Sequence, residues 1–473
     1  WNNQCKLPFF FTATCDFSVW DNPAFTSAGE LTLLNPTGGS IGLLSTTRVV
    51  YGGPNFDLNN HFYDYVFAPL PNGNMPRIGD IYLSTKTSMP PSQTNHRNFS
   101  LLGDPALSLN YPKYSVTTTK INGTAVNSAN PDTIRALSKV TVNGEVHDMS
   151  GNLLTNFNGI IYPTVFDKAS KITTLSNDGA ASPAFTFFLQ KNGLFKGKSI
   201  VTGGKFSFSF IVPKDIAYNF DKGKISYYSH NGYLDASGYF DSFIIGGTDS
   251  TAAKDTQGPG IKLYMNDDKF VYGGVTNANP KIFAIVSDSS GINTAGASIG
   301  HDITGILDAN TAQPIVLNDY YESDLNNYKK GTILYPLSSL ADGTHNLNLR
   351  VWDVYNNSSS SYTEFVVASS AALALKHVLN YPNPFTTKTS FYFEHNKCCT
   401  NMDVSIQIFT VSGKLIKSIY RFVNMEGYRS DPIDWDGTDD YGDKIARGVY
   451  IYRIRVKVAN ETAEQFEKLV ILK

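Results

Sequence analysis

Leu7-Pro-Phe-Phe-Phe-Thr-Ala-Thr-Cys15-Asp-Phe-Ser-Val-Trp-Asp-Asn-Pro23 sets a short apolar run against a cysteine and then a string of polar, turn-forming residues. An uninterrupted run such as Leu7–Thr12 is the pattern of a strand buried on both faces, as strands of parallel sheets are. Cys15 is therefore expected just beyond the carboxyl end of a strand, the edge at which α/β sheets place ligands and reacting groups. Ser40–Val50 offers a second strand of the same kind. Leu58, Phe62, Tyr65 and Val66 recur at helical spacing behind Asp57 as an N-cap, and Ile78, Ile81, Tyr82 and Thr85 repeat the spacing after Pro76. Strands alternating with helices define an α/β layer with a parallel sheet over residues 1–110.

From about Tyr111 the helical periodicity stops. Lys205–Val212 alternates apolar and polar residues, as a strand with one wet face must, and Lys224–Ser229 follows an Asp-Lys-Gly turn. Asp249–Gly260 is small, polar and rich in breakers, which marks a linker. Short strands resume beyond it, ending in Asn346–Val354 and Tyr362–Val367, with the turn spacing of an immunoglobulin-like sandwich but without its Cys…Trp…Cys hallmark. In the last hundred or so residues, Ser405–Phe409 and Lys414–Ile419 flank a Val-Ser-Gly turn as a hairpin. Tyr450, Tyr452, Ile454, Val456 and Val458 share one face opposite Arg453, Arg455 and Lys457. The expected organisation is an α/β domain (1–110), a β-sandwich (111–254), an Ig-like β-sandwich (255–368) and a further β domain (369–473).

Composition agrees with a β-rich, multidomain chain. Of 473 residues, 41% are hydrophobic and 17% charged, with 27 Tyr and 30 Phe. The formal net charge is −2 and no long basic stripe occurs, so no nucleic-acid partner is expected. The longest helix-compatible apolar run, near Phe365–Leu375, is far short of the ~20 residues that cross a bilayer. The chain opens Trp1-Asn-Asn-Gln4, with neither an initiator Met nor a signal-peptide pattern, as a processed or cut polypeptide would.

Four cysteines occur, at positions 5, 15, 398 and 399. The adjacent pair bridges only through a strained ring, nothing requires Cys5 to meet Cys15, and no CxxC pair or zinc-site histidine spacing is present, so neither a disulfide framework nor a zinc site is expected. Cys15 is the candidate nucleophile. A thiol of ordinary pKa ~8.5 needs an activating neighbour such as His, and none is adjacent in sequence; the competing reading is a small packed hydrophobe. His61 and His96 are expected on the surface or as caps. The acidic run Asp434–Asp443 lacks EF-hand spacing and reads as a turn rather than a calcium loop.

Further motifs bring a resemblance. Phe11–Ser18, Leu34-Asn-Pro-Thr-Gly-Gly-Ser-Ile-Gly-Leu-Leu-Ser-Thr-Thr-Arg48, Arg77-Ile-Gly-Asp80 and Asn98-Phe-Ser-Leu-Leu-Gly-Asp-Pro105 resemble the carboxyl half of gingipain-type cysteine peptidase domains, most of all those that act as type IX secretion sortases. Independently, Tyr381-Pro-Asn-Pro-Phe385, Val411-Ser-Gly-Lys-Leu415, Trp435-Asp-Gly437, Gly448-Val-Tyr-Ile-Tyr452 and Lys468–Lys473 resemble the type IX C-terminal signal domain.

The resemblance implies a caspase-like fold for the first domain, with a Cys–His dyad whose cysteine matches Cys15. The family's histidine lies in a Gly-His-Gly segment; none occurs here, and its expected place would fall ahead of Trp1, so this fragment alone is expected to be inactive. Further implications are a sortase at the extracellular face of the bacterial outer membrane, exported cargo as substrates, a glycolipid acceptor, and a PorV-like outer-membrane barrel docked through residues 371–473. No cofactor is implied, and calcium is left open. A secreted gingipain-like protease and a non-catalytic β-sandwich adhesin are the alternatives.

Overall fold

The computed structural model describes residues 3–4, 6–127, 129–177, 179, 183–295, 300–368, 373–397, 400–425 and 427–472. Cys5, Cys398, Cys399 and Lys473 lie outside the described residues. The chain divides into two compact units, Trp1–Pro112 and Lys113–Lys473.

The first unit carries a three-stranded sheet, β1 (Phe9–Phe11), β2 (Gly42–Thr46) and β3 (Phe99–Gly103), in that order. β1 runs parallel to β2, as the apolar runs predict, but β3 is antiparallel to β2, so the sheet is mixed. Helix α1 (Ala28–Leu33) precedes β2, while α2 (Gly52–Val66) and α3 (Ile78–Thr87) fall between β2 and β3. α2 begins five residues before the expected cap at Asp57, with Tyr51 as N-cap: Gly52-Gly-Pro54 looks like a breaker but sits in a first turn, where Pro loses no hydrogen bond. Leu58, Phe62 and Val66 nonetheless face the core, where Phe62 stacks on Phe11 with ring centroids 4.7 Å apart.

In the second unit, residues 114–240 differ from the expected two-sheet sandwich. Strands Gly159–Phe166, Ser199–Thr202, Lys205–Ile211, Lys139–His147, Tyr114–Ile121, Asp235–Phe240 and Lys224–His230 pair in turn, and the last pairs back onto the first, closing a ring of seven strands. Closure removes the exposed edges that an open sheet must otherwise protect. Alternation predicted the strands but not the ring, because period-two patterning is the same in sandwiches and barrels. Phe206, Phe208 and Phe210 point inward from one strand, with Phe195 stacked at 4.9 Å from Phe210.

The next part packs a four-stranded sheet and a five-stranded sheet around a core of Ile282, Val286, Ile333, Leu347, Leu349 and Phe365. The last part packs a three-stranded sheet on a four-stranded one around Phe391, Phe393, Ile406, Tyr452 and Ile454. Asp249–Gly260 lacks regular structure up to Gly260, where a strand starts, but it is no free tether. The Asp255 carboxylate accepts hydrogen bonds from the Ser289 and Ser290 hydroxyls, and its carbonyl accepts one from Asn357 Nδ2 at 3.2 Å.

His395 is fully buried in the last core, near Phe393 and Tyr428, and burial pushes its imidazole down to about 4 against a weaker opposing pull from the Lys397 backbone. A base whose folded-state pKa is depressed stabilises the fold above its unfolded value; that stability is lost as pH falls through 6.5 and the loss levels off near 4. The expected result is a fall of about tenfold per pH unit in hydrogen-exchange protection of the Phe391 and Phe393 amides across that window, corrected for intrinsic exchange. In His395→Leu that slope is expected to drop by one proton; an unchanged slope would assign the acid sensitivity elsewhere.

Candidate functional site

The first unit builds its site where two crossing loops meet beyond β1 and β2. β1 is continued by hydrogen bonds rather than strand pairing: Thr12 N–H donates to the Leu44 carbonyl at 3.0 Å, and Thr46 Oγ1 donates to the Thr14 carbonyl at 2.6 Å. Thr12 Oγ1 and Ser45 Oγ share a hydrogen bond of 2.6 Å. Buried hydroxyls at the end of β2 thus hold the segment leading into Cys15, which sequence periodicity cannot indicate. Asp16, immediately after, has φ +51°, a left-handed bend that Asp tolerates better than most residues. The chain then returns, with Ser18 N–H on the Thr46 carbonyl at 2.8 Å and Phe17 C=O accepting from Gly29 N–H at 2.9 Å.

That last bond ties the turn to α1, whose start carries a reciprocal cap. Ser27 and Glu30 form a capping box in which Glu30 Oε2 accepts from Ser27 N–H at 2.8 Å and from its hydroxyl at 2.7 Å. These bonds hold the Glu30 carboxyl below the usual carboxylate range. The Ser-x-x-Glu spacing of Ser27 and Glu30 is a helix-start signal visible in the sequence. α1 packs closely on the turn: a Cβ on Gly29 would lie 1.8 Å from Ser18 Oγ and 2.8 Å from Ser18 Cβ.

The Cys15 thiol is exposed and donates to the Val50 carbonyl at 3.4 Å. Val50 belongs to the loop after β2, which the segment before β3 clamps. Buried Asn95 accepts from Tyr51 N–H at 3.1 Å and donates to Tyr51 C=O at 2.7 Å, while Asn98 Nδ2 donates to Val49 C=O at 3.0 Å. Arg48 reaches back to Asp21 with bonds of 2.9 and 2.6 Å, joining the two loops. The Arg48 guanidinium holds the Asp21 carboxyl below its ordinary value. Trp20, Val49 and Tyr51 stand exposed on these loops, an apolar rim available to a bound chain.

Neither histidine singled out in this unit has a recorded contact with Cys15 among the described residues. His61 pairs with Asp64 on α2 at 3.3 Å. His96 is held below its ordinary pKa by burial first and then by the charges of Lys86 and Arg97, which places it toward α3. In the acidic run 434–443, the Asp436 and Asp439 carboxylates cap N–H groups of their own turns. Among the described residues, Asp255, Asp288 and Asp353 bring carboxylate oxygens within 4.8 Å of one another, an oxygen set that could hold a hard cation. Burial pushes the Asp288 carboxyl up to about 6, with repulsion from Asp353 and Asp255 adding to it against the pull of the Ser290 N–H. Because these three residues lie far apart in sequence, no motif announced the set.

Residues 1–110, which carry the exposed thiol and the bend that follows it, match the family model for peptidase family C25. Among solved structures, the chain is similar to dimeric latent PorU from Porphyromonas gingivalis, at 29% identity over 92% of this chain and 41% of that chain, with a TM-score of 0.36. It is similar at 15% identity to the complex of Porphyromonas gingivalis RgpB pro- and mature domains, over 50% of this chain and 47% of that one, with a TM-score of 0.22. The chain thus spans less than half the length of each of these relatives. No curated protein matches it. No helix among the described residues is long and apolar enough to cross a membrane.

Proposed function

We propose that the chain is the carboxyl-terminal portion of a PorU-like cell-surface cysteine peptidase and transpeptidase, which removes the C-terminal signal domain from type IX secretion cargo and passes the cargo to an amine on a surface glycolipid. The observation that carries this reading is the exposed Cys15 thiol beyond the end of β1, within the segment matching peptidase family C25. In this reading residues 1–110 are half of a caspase-like domain. Residues 369–473 are an Ig-like signal domain retained to dock on a PorV-like barrel at the extracellular face of the outer membrane. A groove of about 480 Å³ lined by Arg421, Arg453, Arg455, Lys457, Tyr420 and Phe422 on the outer face of its four-stranded sheet suits such a contact.

The chemistry is acyl transfer. Cys15 Sγ, deprotonated by an imidazole reaching it from outside the described residues, attacks the carbonyl carbon of the scissile peptide. The C–N bond breaks, the imidazolium returns the proton to the departing amine, and the cargo stays as a thioester. The bend at Asp16 favours the presentation of backbone N–H groups to the oxyanion. An acceptor amine then attacks the thioester, giving an amide and the free thiol; water in its place gives a carboxylate.

Incubating the full-length polypeptide with a peptide spanning a cargo–signal junction, with hydroxylamine as acceptor, is expected to release the signal segment and yield the cargo hydroxamate. Carboxylate alone would reduce the protein to a secreted-type protease. No cleavage would leave a non-catalytic adhesin.

A further inference from the structure

The ladder joining β2 to β3 ends at the pair Thr46 and Phe99, yet the two chains stay tied as far as Tyr51. Thr47 N–H donates to the Asn98 carbonyl at 2.7 Å, and Thr47 Oγ1 donates to the same oxygen at 3.1 Å. Beyond Thr47, side-chain amides take the place of the backbone. Asn98 Nδ2 donates to the Val49 carbonyl at 3.0 Å. Asn95 Oδ1 accepts from Tyr51 N–H at 3.1 Å while its Nδ2 donates to Tyr51 C=O at 2.7 Å. One amide that accepts from and donates to the same residue reproduces the two-way pairing of an antiparallel bridge.

The last rung reaches the nucleophile through a single peptide group. Val50 C=O, which receives the Cys15 thiol, and Tyr51 N–H, which Asn95 holds, are the two ends of one trans peptide plane. Turning either end turns the other. Val49 and Tyr51 are exposed, so of these three side chains only Val50 anchors the loop by entering the core. Asn95 itself is 3% exposed, and it opens a 3₁₀ turn, Asn95–Asn98, that runs straight into β3. The start of β3 is pinned to α3, for the Phe99 carbonyl accepts from Tyr82 OH at 3.1 Å and from Lys86 Nζ at 3.0 Å. The amide that grips the peptide is therefore held on a rigid base.

We infer that Asn95 is a positioning residue for the nucleophile, fixing the Val50–Tyr51 peptide plane and with it the place of the Cys15 thiol. The inference rests on the peptidase reading of Cys15. A displacement of ~1 Å at a reacting atom lowers a rate by about 10²-fold, and a peptide plane that has lost its buried partner moves on that scale.

Cleavage of a cargo–signal junction peptide by the full-length polypeptide, with rates expressed per alkylation-titrated active site, tests it. Asn95→Ala removes both bonds; kcat is expected to fall by roughly 10- to 10²-fold with KM within about threefold of the parent. Exchange of the Tyr51 amide is expected to speed up by about tenfold or more, because its acceptor is gone. Asn95→Asp keeps the shape and the acceptor but lacks the donor while ionised; once protonated it can again accept and donate. Burial raises such a carboxyl, so the kcat of this variant relative to the parent is expected to rise about tenfold between about pH 8 and about pH 5. His96, the next residue, titrates in both proteins and cancels in that ratio. Parental kcat per active site in Asn95→Ala, a raised KM alone, or a pH-independent ratio in Asn95→Asp overturns the inference. An Asn95→Ala chain that fails to fold leaves the isosteric Asn95→Asp ratio to decide. Absence of cleavage by the parent removes the peptidase reading and this inference together, whereas parental exchange of the Tyr51 amide in Asn95→Ala removes the role of Asn95 alone.

Discussion

Exchange of Cys15 for alanine in the full-length polypeptide is expected to abolish release of the signal domain from cargo, with a loss of rate on the order of 10⁴-fold or more, since no residual nucleophile remains. The same exchange is expected to leave thermal stability within about 0.5 kcal/mol of the parent. The thiol is exposed, and its one recorded polar contact is the long bond to the Val50 carbonyl. This pairing of a large kinetic effect with a negligible structural one separates a nucleophile from a packed cysteine, whose truncation would cost stability. Cargo processed at the parental rate by the alanine variant would end the peptidase reading.

Gly29→Ala is expected to damage the site from a distance. At an exposed helical position the change would stabilise by about 1 kcal/mol through propensity. Here the new Cβ would fall 1.8 Å from Ser18 Oγ and 2.8 Å from Ser18 Cβ, so rotating the hydroxyl away is not enough. The turn from Cys15 to Ser18 must shift, at a cost of about 1–3 kcal/mol. Cleavage is expected to fall by roughly 10²-fold as the nucleophile is displaced. Adding Ser18→Gly removes both offending atoms, so the double variant is expected to recover most of the activity. If it does not, the loss belongs to α1 itself, and close packing on the Cys15 turn is not its cause.

The legible and illegible parts of the structure divide by the range of the interactions that make them. The alternation in Lys205–Val212 predicts a strand, and the strand is there because each second residue meets the core locally. The spacing of Leu58, Phe62 and Val66 likewise survives a shift of the N-cap from Asp57 to Tyr51, since the buried stripe belongs to the helix body. Ring closure between Gly159–Phe166 and Lys224–His230 is a pairing across more than fifty residues, and no local pattern encodes it. Cys15 stood out by its place after an apolar run. The residues that hold it did not: Asn95 acts on Tyr51 from 44 positions away, and Thr46 reaches Thr14 across 32.

Sequence by itself determined most of the strands, the helical stripes and the place of Cys15 beyond an apolar run, because each depends on side chains one to four positions apart; that β1 is only half-buried it did not show. Tertiary structure alone decided which carbonyl receives that thiol, that Gly29 lies against Ser18, and that three distant aspartates converge. Those outcomes follow from how separate segments meet in space: burial and close approach are properties of surfaces brought together by the whole fold, and a residue's neighbours along the chain do not fix them.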